Sequence, residues 1–205
     1  MKKYLIFDLD GTLIDTKVKI QKAILSSIQK HTPEFYKKAQ ELFLIYGNFP
    51  LPYYLNKVYD DIILEKNLEQ HILQEFQIIN ENIYFFPWVC EKISQLSQNY
   101  TLFLTTASPT KVAKNALKIW WILELFEIIY GSEEVRKSEA HLEYFQEYSC
   151  DEDFYKKAVY IWDGNNDRFL AEAKNIDFIH IWNDKKDRYE IQSVAEIDSI
   201  LKLFN

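Results

Sequence analysis

Five short runs, Tyr4–Asp8, Thr101–Thr106, Glu127–Tyr130, Ala158–Trp162 and Phe178–Trp182, are almost unbroken in apolar residues. A strand with one face in water alternates apolar and polar side chains, whereas a strand covered on both faces has no such need. Helical patterns accompany the later runs, at Trp88–Ser97, Lys111–Ile119, Ser138–Tyr148, Asp167–Lys174 and Val194–Phe204. Strands alternating with helices predict an α/β fold, a doubly wound parallel sheet covered on both faces.

One stretch breaks the rhythm. Between about Thr16 and Phe86 no convincing strand occurs, and four helix-like segments, near 17–31, 34–45, 51–66 and 68–82, are punctuated by Pro33, Pro50 and Pro52. A crossover of ~70 residues is far longer than a strand–helix–strand unit needs. It reads as an inserted helical domain, 16–87, tethered near Ile14–Thr16 and Phe85–Pro87, with 1–15 and 88–205 forming the core. At 205 residues the chain has room for such a core plus a smaller attached domain.

Thirty-one acidic residues against 24 basic ones give a net charge of −7, which argues against broad nucleic-acid binding. A small phosphorylated molecule is still admissible, because one metal ion and a few local cations can offset the global charge. The only cysteines, Cys90 and Cys150, are far apart and lack CxxC spacing, so a reducing cytoplasm is the expected setting. No run approaches a membrane span, and the apolar stretch after Met1-Lys2-Lys3 is too short for a signal peptide.

Asp8-Leu9-Asp10-Gly11-Thr12 follows the first run directly. Residues i and i+2 of a strand share a face, so Asp8 and Asp10 are expected to project together while Leu9 turns away. Converging carboxylates repel unless a cation or shared proton intervenes, and a hard, oxygen-seeking ion such as Mg²⁺ meets that need. The same residues also suit an ordinary acidic Asp-Gly turn. Gly is scarce, and Gly11, Gly131 and Gly164 all fall at or just beyond an apolar run, where backbone freedom or close approach is often required.

An apolar strand ending in Asp-Leu-Asp-Gly-Thr resembles the first signature of the haloacid dehalogenase-like superfamily, and three further elements follow in that superfamily's order. Thr105-Thr106-Ala107-Ser108-Pro109 resembles the second motif, with Thr106 the better match and Thr105 the rival. Lys137, with Arg136 as rival, resembles the basic third motif, although many relatives have Pro where this chain has Ser138. Asp163-Gly164-Asn165-Asn166-Asp167 resembles the acidic fourth motif, although Trp162 stands where relatives usually carry Gly. Each element ends a predicted strand, where parallel α/β sheets place their ligands.

The resemblance implies a Rossmann-like core with a helical cap between the first and second motifs, as in phosphatases similar to phosphoglycolate phosphatase and β-phosphoglucomutase. It further implies a Mg²⁺-dependent phosphatase in which Asp8 is nucleophile and Asp10 is acid and base. Thr106, the Ala107 N–H and Lys137 would hold the phosphate; Asp8, Asp163 and the Asp10 carbonyl would hold the metal, and Asp167 would support them. An acid at position 10 favours C–O–P chemistry over dehalogenation. The segment Tyr46-Gly47-Asn48-Phe49-Pro50 resembles a cap loop that dips toward the active site. The implied substrate is a small phosphorylated metabolite, with neither nucleic acid nor membrane as partner, and the protein a monomer or homodimer. A phosphomutase, or a weakly active phosphate-binding protein, are the alternatives.

Overall fold

The computed structural model describes residues 1–46, 51–60, 68, 70–72, 74, 85–86, 89–132, 137–181, 190–191 and 196–202. The chain divides into two compact units, Met1–Asp15 with Tyr84–Asn205, and Thr16–Ile83.

The first unit is built on a six-stranded sheet of order β3-β2-β1-β4-β5-β6. Its strands are β1 Tyr4–Phe7, β2 Thr101–Thr105, β3 Phe126–Tyr130, β4 Ala158–Trp162, β5 Asp177–Ile181 and β6 Glu190–Ile191. Every neighbouring pair is parallel. The five expected runs are all strands, each shifted or trimmed by one residue at most where described; Trp182 lies outside the described residues. The two-residue β6 carries no apolar run that the sequence could have signalled. β1 lies between β2 and β4, and its Leu5, Ile6 and Phe7 are fully buried, which is why the run is continuously apolar.

Helices flank this sheet: α4 Val89–Leu96, α5 Thr110–Ile119, α6 Glu139–Ser149, α7 Phe154–Lys157, α8 Asn165–Ala173 and α9 Ile197–Leu201. The short α7 was not expected from the sequence. α8 starts two residues earlier than the apolar pattern suggests, because Gly164 serves as its N-cap and Asn165 and Asn166 open its first turn. The expected final helix shrinks to α9 within its described part. One core cluster gathers Ile6, Phe103, Leu142, Phe145, Phe154, Ala158, Tyr160, Trp162, Ala171 and Ile176.

The second unit is helical in its described residues: α1 Lys17–His31, a 3₁₀ turn at Pro33–Phe35, α2 Tyr36–Tyr46 and α3 Leu51–Tyr59. Ile24, Leu25 and Ile28 of α1 pack with Ala39, Phe43, Tyr54, Leu55, Val58, Tyr59, Leu68 and Ile72. α3 stops short of the expected 66: Asp60 has a left-handed φ of 49°, which closes the helix there. Residues 47–50, where the sequence resembles a cap loop, the remainder of the third segment and most of the fourth lie outside the described residues, as do Pro87 and Trp88. Among the described residues no helix is long and apolar enough to cross a membrane.

Candidate active site

The four sequence motifs sit at the carboxyl ends of β1, β2, β3 and β4. Asp8 follows β1 with its N–H still bonded to Ile161 O at 2.9 Å, so the ladder with β4 fixes its backbone. A tight turn then folds back: Leu13 N donates to Leu9 O and Gly11 N to Ile14 O, each at 2.9 Å. Gly11 has φ +82°, and a Cβ there would overlap the Asp163 carboxylate. Only glycine lets that turn take its shape and lets Asp163 come so close.

Lys137 joins three of these strand ends. Its Nζ lies 2.5 Å from Asp8 Oδ1 and 2.6 Å from Asp167 Oδ1, and both carboxylates are buried. Tyr160 adds a phenol that donates to Asp167 Oδ1 at 2.5 Å, and Thr12 Oγ1 donates to Asp8 Oδ2 at 3.3 Å. Burial pushes the Asp8 carboxyl well above its ordinary value, the Lys137 ammonium pulls it back, and Asp167 and Asp163 push it up again. Burial alone would lower Lys137, but the Asp167 and Asp8 carboxylates outweigh it and hold the ammonium charged. Burial and then Asp167 likewise drive the Tyr160 phenol up, so it stays a donor.

Asp10 does not share this environment. Its Oδ2 accepts from Ser108 Oγ at 2.7 Å and from Thr106 Oγ1 at 3.3 Å. β1 ends at Phe7, so Asp10 lies in the turn that follows the strand. Two carboxylates two residues apart acquire different neighbours: the Lys137 ammonium and the Thr12 hydroxyl for Asp8, the Ser108 and Thr106 hydroxyls for Asp10.

Adjacent strand residues face opposite ways, and that separates the two threonines. Thr105 Oγ1 is 2.7 Å from His141 Nδ1 of α6, whereas Thr106 turns toward Asp10. α5 begins only at Thr110, so the exposed Ala107 lies in the loop ahead of the helix and not in its first turn. The rival Arg136 lies outside the described residues. Ser138, where relatives often have Pro, is the N-cap of α6, its side chain accepting from Ala140 N at 3.3 Å. Trp162 is fully buried and packs on Phe178, Tyr160 and His180 at centroid distances of 4.7, 5.3 and 6.0 Å. Its ring belongs to the core cluster.

Four contributors were not foreseen: Ser108, Ser132, Tyr160 and His141. Ser132 Oγ donates to Thr106 O and accepts from Lys137 N, both at 3.0 Å, and so ties the second motif to the third. Its signal is faint, a lone Ser after Gly131. Tyr160 was hidden inside an apolar run, where an aromatic ring reads as core.

Asp8, Asp163 and the Asp10 carbonyl offer a cation only oxygen donors, the set that Mg²⁺ prefers. The cradle at Gly11, which a side chain would fill, lets the Asp163 carboxylate reach the loop carrying those donors. Among the described residues no three His, Cys, Asp or Glu side chains gather into a metal cage. A cation held here would complete its shell with main-chain, water or substrate oxygens, as is usual for Mg²⁺.

Comparison with known proteins shows the family and the fold. Residues 5–181 match the family model described as haloacid dehalogenase-like hydrolase. "Probable phosphatase IndB" of Dickeya dadantii is 27% identical over 154 residues, covering 70% of this chain and 64% of that protein. The chain thus spans less than two thirds of that relative's length. Among solved structures, a haloacid dehalogenase-like family hydrolase from Streptococcus pneumoniae superposes with a TM-score of 0.75 at 20% identity, covering 100% of this chain and 99% of that one. YfnB of Bacillus subtilis, solved bound to magnesium, gives 0.72 at 17% identity, covering 98% and 99%. These likenesses establish the fold, and the family match spans most of the chain: the protein belongs to the haloacid dehalogenase-like hydrolase family.

Proposed function

We propose that the chain is a Mg²⁺-dependent phosphatase that hydrolyses a small phosphate monoester through an aspartyl-phosphate on Asp8. The observation that carries this reading is the division of labour at the end of β1. Asp8 lies 2.5 Å from a buried ammonium, and Asp10, two residues on, accepts from the Thr106 and Ser108 hydroxyls. A pair of carboxylates placed in different environments is what nucleophile and acid–base roles require.

In this reading an Asp8 carboxylate oxygen attacks phosphorus, and the bond from phosphorus to the ester oxygen breaks. Asp10 gives a proton to that leaving oxygen, then takes one from the water that attacks the phosphorus of the aspartyl-phosphate. Inorganic phosphate departs and Asp8 is restored. Lys137 keeps a fixed positive charge beside the attacked group, and Asp167 with Tyr160 keeps Lys137 in place. The Thr106 hydroxyl and the Ala107 N–H, on the loop after β2, would donate to phosphoryl oxygens. The Asp8 and Asp163 carboxylates with the Asp10 carbonyl would hold a magnesium ion, which would supply positive charge to offset that of the phosphate.

The phosphatase name of the Dickeya relative and the magnesium in the YfnB structure support the same reading. A cytoplasmic setting fits the two cysteines, Cys90 and Cys150, which are both unpaired thiols. The test is phosphate release from p-nitrophenyl phosphate. Activity should vanish with EDTA, return with Mg²⁺, and fall at least about 10³-fold, ~4 kcal/mol of barrier, in a folded Asp8→Asn variant. An Asp8→Asn variant with wild-type turnover, or no release by the wild type, contradicts the proposal.

A further inference from the structure

Ser108 stands in the second motif with no role that the resemblance implies, yet its hydroxyl makes a shorter bond to Asp10 Oδ2 than Thr106 does, 2.7 against 3.3 Å. The loop carrying it is fixed from two sides. Ser108 N donates to Thr106 Oγ1 at 3.0 Å, and Ser108 O accepts from Ser132 N at 3.1 Å. Gly131 approaches so closely that a Cβ there would overlap Ser108 O and Thr110 N, and its own N–H donates to Thr110 Oγ1 at 2.8 Å. A hydroxyl on a loop locked in this way can hold its partner in one orientation at little entropic cost.

The two hydroxyls on Asp10 are not equivalent in use. In the phosphatase reading the Thr106 hydroxyl turns to a phosphoryl oxygen when substrate arrives, and its bond to Asp10 is given up. Ser108 is then the hydroxyl that keeps Asp10 in place while it transfers a proton. We propose that Ser108 is the positioning residue for Asp10, anchoring Oδ2 so that Oδ1 carries the proton to the leaving oxygen. The inference rests on the phosphatase reading and adds to it a residue with a separable role.

Leaving-group chemistry separates that role from a merely structural one. A proton donor matters most when the departing oxygen is a poor leaving group and hardly at all when it is a good one. The experiment compares kcat/KM for phenyl phosphates graded from 2,4-dinitrophenyl to 4-methylphenyl, in full-length wild type, Ser108→Ala, Ser108→Thr and Asp10→Asn. Ser108→Ala should lose about 10-fold or more on 4-methylphenyl phosphate and less than about twofold on 2,4-dinitrophenyl phosphate. Ser108→Thr should recover most of the loss, and Asp10→Asn should show the same steepening more strongly. A loss in Ser108→Ala that is uniform across the series, or absent, overturns the positioning role. If Asp10→Asn still steepens in that case, the phosphatase reading stands without the inference; if Asp10→Asn is flat as well, the acid role beneath it also falls.

Discussion

The two units bury their polar groups in different ways. In the helical unit, the buried polar residues described are Thr16 and Ser27, and the other hydroxyls inside it are satisfied by simple partners. Tyr54 OH donates to Ala39 O at 2.8 Å, and Thr32 and Tyr59 share a bond of 2.5 Å. The sheet unit instead buries Asp8 and Asp167 around Lys137, with Thr105, Thr106 and His141 close to the same strand ends. Taking charges out of water costs stability, and a good ion pair only roughly offsets that cost. The helical unit is packed for stability, whereas the strand ends of the sheet unit carry groups whose burial makes sense through chemistry.

This contrast can be broken by substitution. The largest stability effect is expected at Lys137→Ala, which strands two buried carboxylates and should cost about 3–5 kcal/mol along with phosphate release. Denaturant unfolding measures it, and adding Asp167→Asn should recover part of the loss. A cost no larger than that of a surface substitution would remove the distinction between the units. Trp162→Phe tests the apolar side of the sheet unit. Because its ring lies in the core cluster, it should cost about 1–2 kcal/mol while kcat/KM changes less than about threefold. A collapse of activity at full stability would place the ring in the site after all. The smallest effect is expected at Tyr54→Phe in the helical unit, about 1 kcal/mol for one lost hydrogen bond and no change in turnover.

Legibility in the sequence follows the same division. Strands buried on both faces wrote themselves as apolar runs, and motif residues at their ends were readable because only a few side chains serve that chemistry. The turn at Gly11 was visible as Asp-Gly. The partners of Asp10 were not: the chain leaves β1 after Phe7, and nothing in a period-two pattern reports where a strand stops or which hydroxyls meet the turn beyond it. Ser108 was obscured because Ser before a helix usually means a cap, and Ser132 because a lone Ser after Gly131 carries no signal of its own. The apparent oddities, Ser138 and Trp162, turn out to have local reasons, a helix cap and a core ring. Tyr160 looked like core and is core, but its phenol also reaches Asp167.

The most direct test of the account is to trap the covalent intermediate. Acid quenching during turnover of p-nitrophenyl phosphate, followed by borohydride reduction, converts an aspartyl-phosphate into homoserine that peptide mapping locates. The account predicts homoserine at position 8 in the wild type and none in Asp8→Asn. Homoserine at another aspartate, or none anywhere while phosphate release proceeds, would contradict it.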